Sequence, residues 1–265
     1  MGGNLLVEGE DTQPDLPWGD EVPSWGRDAL PDDPAWGGSS SIGLVRELNE
    51  DRFGHQGIIF AVADGMGRKG GGFEAAESTL ESVFGRGSVL GIGAPLKRWR
   101  AFVRMVNTDV RSKMEQLGFP RAGSTLTLVA VEPDRVVVAH VGDSRLYVLQ
   151  KGALVQRTVD HILENELAAS GTSLEQARAK GLPTAGLTSY IGQSDRHLRV
   201  DVDSWSPELG TKLLLCSDGV HGCLESELIC EIVSTLPPSE AASELTAQAD
   251  AAGGRDNATA VVLEL

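Results

Sequence analysis

Three apolar runs in this chain each stop at an aspartate beside a small, turn-forming residue. Residues 58–63 run into Asp64-Gly65, residues 136–141 pass Gly142 into Asp143-Ser144, and residues 213–216 pass Ser217 into Asp218-Gly219. A fourth aspartate, in Asp256-Asn257, opens the last apolar run, 258–265. Side chains held at rigid strand ends can converge on one edge of a sheet. Carboxylates brought that close repel one another unless cations sit between them. Hard divalent cations, Mg²⁺ or Mn²⁺, suit an all-oxygen cluster, so the chain reads first as a metal-dependent enzyme. Taken singly, each aspartate is an ordinary turn residue, because Asp bonds its own backbone and Gly accepts positive φ. The reading rests on their combination with a fifth element upstream, Arg46-Glu47-Leu48-Asn49-Glu50-Asp51-Arg52.

The elements that must position these groups come from a chain of 265 residues, 41% hydrophobic and 23% charged, which are globular values. Such a chain buries an ample core without disulfides. Only 5% is aromatic, so that core rests on Ala, Val, Leu and Ile. The cysteines, Cys216, Cys223 and Cys230, form no C-x-x-C pair and read as small buried hydrophobes of a reducing compartment. No apolar stretch approaches the length of a membrane span and no basic-apolar leader is present, which predicts a cytoplasmic protein off the membrane. Net charge is −15, against the basic face that nucleic acid requires.

The charge is uneven. Residues 1–36 carry nine carboxylates and one arginine, with five of the twelve prolines and Trp18, Trp25 and Trp36. Without a helical or strand period, they read as a mobile acidic extension that binds a partner through its rings. The catalytic domain is then 37–265. Within it, 40–45 and 58–63 read as strands. Residues 73–84 and a longer stretch from Pro95 have helical spacing. Strands follow at 124–131, 135–141, 145–149 and 153–156, and their short links predict antiparallel hairpins. Short helices are expected near 163–169 and 174–180. After a strand at 213–216, two more are expected near 225–234 and 239–252, Gly253-Gly254 ending the last. Antiparallel strands with helices in N-terminal and C-terminal pairs predict an α+β fold.

The motifs, in order, are Arg46-x-x-Asn49-Glu50-Asp51, Ala63-Asp64-Gly65-Met66-Gly67, Gly123-Ser124-Thr125 and His140-Val141-Gly142-Asp143-Ser144-Arg145. Asp160-His161, Cys216-Ser217-Asp218-Gly219 and Arg255-Asp256-Asn257-Ala258-Thr259 complete them. From about Ser40 to Leu265 the chain resembles bacterial metal-dependent protein phosphatases of the 2C type. The resemblance implies two packed antiparallel β-sheets with helices on both outer faces, a monomer, and hydrolysis of phosphoserine and phosphothreonine in proteins, opposing a Ser/Thr kinase. It implies Mn²⁺ or Mg²⁺ as cofactor: two catalytic ions and a third, weaker site. Asp64 matches the aspartate bridging the two ions, with the Gly65 carbonyl as a further ligand. Asp218 and Asp256 complete one site, and Glu50 and Asp51 reach the metals, often through water. Asp143 belongs to the third site, and Arg46 holds the substrate phosphate. The metals acidify a shared water and absorb phosphoryl charge, while Arg46 offers a planar two-pronged clamp.

One stretch departs from the family. Many relatives read Asp-Gly-Met-Gly-Gly-His, whereas here Asp64-Gly65-Met66-Gly67 is followed by Arg68-Lys69. The group that protonates the leaving oxygen is therefore open between Lys69, His161 and metal-bound water, although His161 reads better as structural. His55, His197 and His221 are isolated. Two rival functions share the fold: a phosphatase of an anti-anti-sigma-type regulator, and a catalytically silent phosphoprotein-binding module. Silent members tend to lose metal aspartates, and here all four strand-end aspartates are retained.

Overall fold

The computed structural model describes residues 34–67, 70–87 and 90–265. Trp18 and Trp25 of the acidic extension, and the pair Arg68-Lys69, lie outside the described residues.

Among the described residues, eleven strands form two antiparallel sheets. The first sheet orders β1 (Ala35–Ser41), β11 (Ala258–Glu264), β10 (Lys212–Cys216), β7 (Arg145–Gln150) and β8 (Ala153–Gln156). The second orders β2 (Asp51–Gln56), β3 (Ile59–Met66), β5 (Leu126–Val131), β6 (Val136–Val141) and β9 (Asp201–Trp205), with the short β4 (Gly123–Ser124) paired to the end of β3. Helices α1 (Gly72–Gly87) and α2 (Leu96–Gln116) belong with the second sheet. The small helices α3 (Leu163–Ala169) and α4 (Leu174–Ala179) follow β8, and α5 (Asp218–His221) follows β10. Helices α6 (Ser226–Thr235) and α7 (Pro238–Ala251) complete the chain before β11.

Strand alternation sorts the apolar residues into three layers. On β3, Ile59, Ala61 and Ala63 face α1 and α2, where they meet Val83, Phe102 and Val106, while Phe60 and Val62 face the other way. That other face meets Leu213 and Leu215 of β10 and Val261 and Leu263 of β11, forming the layer between the sheets. Leu214, Cys216, Ala260 and Val262 turn outward onto Ile229 and Val233 of α6 and Leu245 of α7. The order helix, sheet, sheet, helix is the expected α+β sandwich. No helix among the described residues is long and apolar enough to cross a membrane.

Four departures from the sequence reading have physical causes. The link Asp143-Ser144 does not close a hairpin: β6 and β7 lie in different sheets, and the turn carries the chain across the sandwich. Strands β2 and β9 have no counterpart in the sequence reading because both are polar edge strands, with Phe53 and Val202 among their few packed side chains. The first strand is 35–41 rather than 40–45. Its Gly-Gly-Ser-Ser-Ser run hides it, yet it pairs with β11 along its whole length and lets α7 approach Gly37 closely. That pairing includes Ala35 and Trp36, and the Trp36 ring packs on Phe60 and His55. Finally, Cys216 is buried as expected, but Cys223 is exposed and Cys230 is half-buried.

Candidate metal centre

The acidic residues replace the apolar rows at one end of the inter-sheet layer. On β3, Phe60 and Val62 point between the sheets, and two residues on the same alternation brings Asp64 there. Its cross-strand partner on β2 is Asp51. From the opposite sheet, Asp218 lies one residue beyond the end of β10, after Ser217, and Asp256 lies before β11 with only Asn257 between. Asp143 sits on the crossing turn between β6 and β7. Two strands of each sheet and the crossing turn therefore deliver five aspartates to one edge.

Their electrostatics record the crowding. Burial pushes the Asp51 carboxyl up to about 7, helped by Asp218 and Asp256 and opposed by hydrogen bonds from Ser217 and Thr259. Asp64 lies well above the usual carboxylate range because of burial and then Asp51, Asp218, Asp143 and Asp256. Asp143 rises to about 7 through burial, then Asp218 and Asp160. Asp218 is raised by burial and by Asp256, against a side-chain hydrogen bond with Asp64. Like charges sharing a partly dry site give this signature, and an oxygen-only donor set of this kind fits hard divalent cations. Among the described residues no three of these groups already stand at chelating spacing. The carboxylates instead satisfy neighbours: Asp64 meets Asp218, and Asp256 accepts from Arg46 at 2.6 Å.

The remaining expected residues fall around this edge. Arg46 lies on the loop between β1 and β2, half exposed, and the Asp256 hydrogen bond raises its pKa further. Glu50 ends that loop, its backbone carbonyl accepting from Gly65 N–H at 3.2 Å. Gly65, whose carbonyl is the further ligand that the resemblance implies, has no room for a side chain. A Cβ there would lie 2.1 Å from the Gly72 carbonyl oxygen, so α1 could not start where it does.

Several positioning residues were invisible as such in the sequence. Ser217 continues the inward row of Leu213 and Leu215, donates to Asp51 Oδ2 at 2.7 Å, and accepts from Thr259 N–H at 3.0 Å. It thereby joins the two sheets at the acidic edge. Asn257 accepts from Glu50 N–H at 2.9 Å and donates to the carbonyls of Ile42 and Leu48 at 2.9 and 3.0 Å, fastening the Arg46 loop. The half-buried His221 imidazole donates to the Asp143 carbonyl at 3.0 Å, and desolvation lowers its pKa to about 4, keeping the ring neutral. Their only sequence signal was adjacency to the aspartates. Both ring nitrogens of His161 are engaged, Nδ1 by Gly142 N–H at 3.2 Å and Nε2 by Asp201 at 3.1 Å. The buried ring braces the crossing turn rather than facing the acidic edge.

The profile of the Protein phosphatase 2C family matches residues 45–249. The chain belongs to the protein phosphatase 2C family. The chain is 32% identical to the serine/threonine phosphatase stp of Listeria monocytogenes over 240 residues, covering 84% of this chain and 92% of that protein. It is 30% identical to the serine/threonine protein phosphatase PstP of Mycobacterium tuberculosis over 231 residues, 85% of this chain. It spans only 44% of that relative's length. The crystal structure of M. tuberculosis PstP/Ppp superposes with a TM-score of 0.76 at 29% identity, covering 87% of this chain and 97% of that one. The PstP catalytic domain solved with two manganese ions gives 0.75 at 28% identity, covering 86% and 96%.

Proposed function

We propose that the chain is a Mn²⁺- or Mg²⁺-dependent phosphatase of phosphoserine and phosphothreonine proteins. The observation that carries the reading is the convergence of Asp51, Asp64, Asp143, Asp218 and Asp256 from both sheets, beside Arg46. Asp64, the Gly65 carbonyl, Asp218 and Asp256 would hold two ions, with Glu50 and Asp51 reaching them and Asp143 serving a third. When bound, the ions supply an acidified water nucleophile and positive charge for the phosphoryl oxygens.

This chain's own residues do the rest. Arg46, half exposed at the rim, binds the phosphate dianion through a planar guanidinium that stays charged at every working pH. Its pairing with Asp256 holds it over the acidic edge, so that phosphate is drawn toward the carboxylates that otherwise repel it. Ser217 and Thr259 fix Asp51, and Asn257 fixes the loop carrying Arg46, so neither group must be ordered during reaction. Two of the three thiols are disfavoured as nucleophiles: burial drives the Cys216 pKa up, and burial raises that of Cys223 too. Phosphoproteins and a partner Ser/Thr kinase system are the corresponding substrates and counterpart.

Hydrolysis of phosphoserine and phosphothreonine peptides is expected with added Mn²⁺ or Mg²⁺ and is expected to stop with chelator. Full turnover in chelator, or a covalent phosphoenzyme, would overturn this reading.

A further inference from the structure

The loop between β1 and β2 carries Arg46 and is lined with apolar side chains that the fold does not use. Ile42, Leu44, Val45 and Leu48 are 41%, 72%, 66% and 53% exposed. Four such residues within seven positions make an apolar-rich rim before and after one arginine, unlike isolated surface hydrophobes. The loop is nevertheless held firmly. Leu44 N–H donates to the Gly254 carbonyl at 2.7 Å, and the Asn257 amide holds the carbonyls of Ile42 and Leu48. Gly43 sits at φ +79°, with the Asp256 and Gly254 carbonyls so near that a Cβ would clash. The backbone is therefore fixed in a shape that presents these side chains outward.

We propose that this rim binds the apolar residues that flank the phosphorylated serine or threonine of a protein substrate. The proposal rests on the phosphatase reading and deepens it by naming a substrate class. The occupant follows from chain geometry. A phosphoryl group held by Arg46 leaves the substrate backbone beside the same loop. An extended chain advances roughly 3.3–3.6 Å per residue, so substrate positions about two before and two after the phosphorylated residue come level with the flanking rim. In sequence Leu44 and Val45 precede Arg46 and Leu48 follows it, which suits a substrate with an apolar residue on each side. Because hydrogen bonds already order the loop, burial of apolar area there is not offset by a loop-ordering cost.

The test compares two phosphoserine peptides of equal length on the full chain with Mn²⁺. One peptide carries leucine two residues before and two after the phosphoserine, and the other carries serine at both places. The leucine peptide is expected to have a kcat/KM roughly tenfold higher, the scale of one or two apolar side chains partly buried. Leu44→Ser combined with Val45→Ser, and separately Leu48→Ser, should bring that ratio toward one. A ratio near one in the unaltered protein, or a ratio unmoved by both variants, would overturn the proposal. So would a fall of aryl phosphate hydrolysis in parallel with both peptides, because the substitutions would then act through Arg46. Loss of a dimer in the variants would assign the rim to a second copy of the chain instead. Absence of turnover on every substrate would overturn the phosphatase reading itself; turnover without leucine preference overturns only the rim.

Discussion

Asp51 and Asp64 stand directly opposite each other across β2 and β3, where like charges are destabilising. Such a pair survives because its partners are arranged to be shared. Ser217 reaches Asp51 from the other sheet, and Asp218 meets Asp64. Substitution should sort these aspartates by role. Asp64→Asn and Asp218→Asn are expected to lower turnover by roughly two orders of magnitude or more, since under the proposed function each would remove a charged ligand of the catalytic ion pair. Asp143→Ala, on the crossing turn, should cost less at saturating Mn²⁺. Steady-state kinetics of the three variants checks the ranking, and equal small effects would contradict it. The aspartates were legible from sequence because each closes an apolar run at a turn. Ser217, Asn257 and His221 were not, because a hydrogen bond from one sheet to a loop or strand of the other leaves no periodic trace.

At the scale of elements, strands with strong apolar alternation were readable and polar edges were not. β3, β5, β6 and β10 announce themselves through Val, Leu and Ile, whereas β2 and β9 are defined only by their neighbours' backbone groups. The run Ile42-Gly43-Leu44-Val45 misled in the opposite direction: it has strand-like composition but forms a loop, and the true β1 lies in the glycine-serine segment before it. We propose that the working edge of the domain lies at the start of β1, and truncation tests it. Removal of residues 1–33 leaves β1 whole, whereas removal of 1–36 strips Ala35 and Trp36, which pair with Glu264 and Leu263. The second truncation should be less stable than the first by about 2 kcal/mol, given a partly buried tryptophan packed on Phe60 and His55. Urea denaturation of both proteins measures the difference, and equal midpoints would place Trp36 outside the fold's energetics.

For the whole molecule, the acidic edge makes stability depend on pH and on divalent cations together. Asp51 and Asp143 have folded-state pKa values raised to about 7. A carboxyl raised on folding stabilises the protein fully below its unfolded pKa, and that contribution is lost as pH rises through the folded value. The metal-free protein should therefore melt lower at about pH 8 than at about pH 5, by roughly 5 °C or more. Saturating Mn²⁺ should remove most of that fall, because the ion rewards the ionised form. Thermal scans at both pH values, with and without Mn²⁺, carry the check; a metal-free Tm that rises with pH would refute it. The crossing turn at Gly142-Asp143-Ser144 has a mechanical consequence as well. The backbone ladders run within each sheet, so the two layers can part at the acidic end more easily than either can unravel. An ion gripping Asp64 on one layer and Asp218 on the other would act as a latch on that seam. Amide exchange near the ends of β3 and β10 that carry these residues should then slow with Mn²⁺ far more than exchange at their opposite ends.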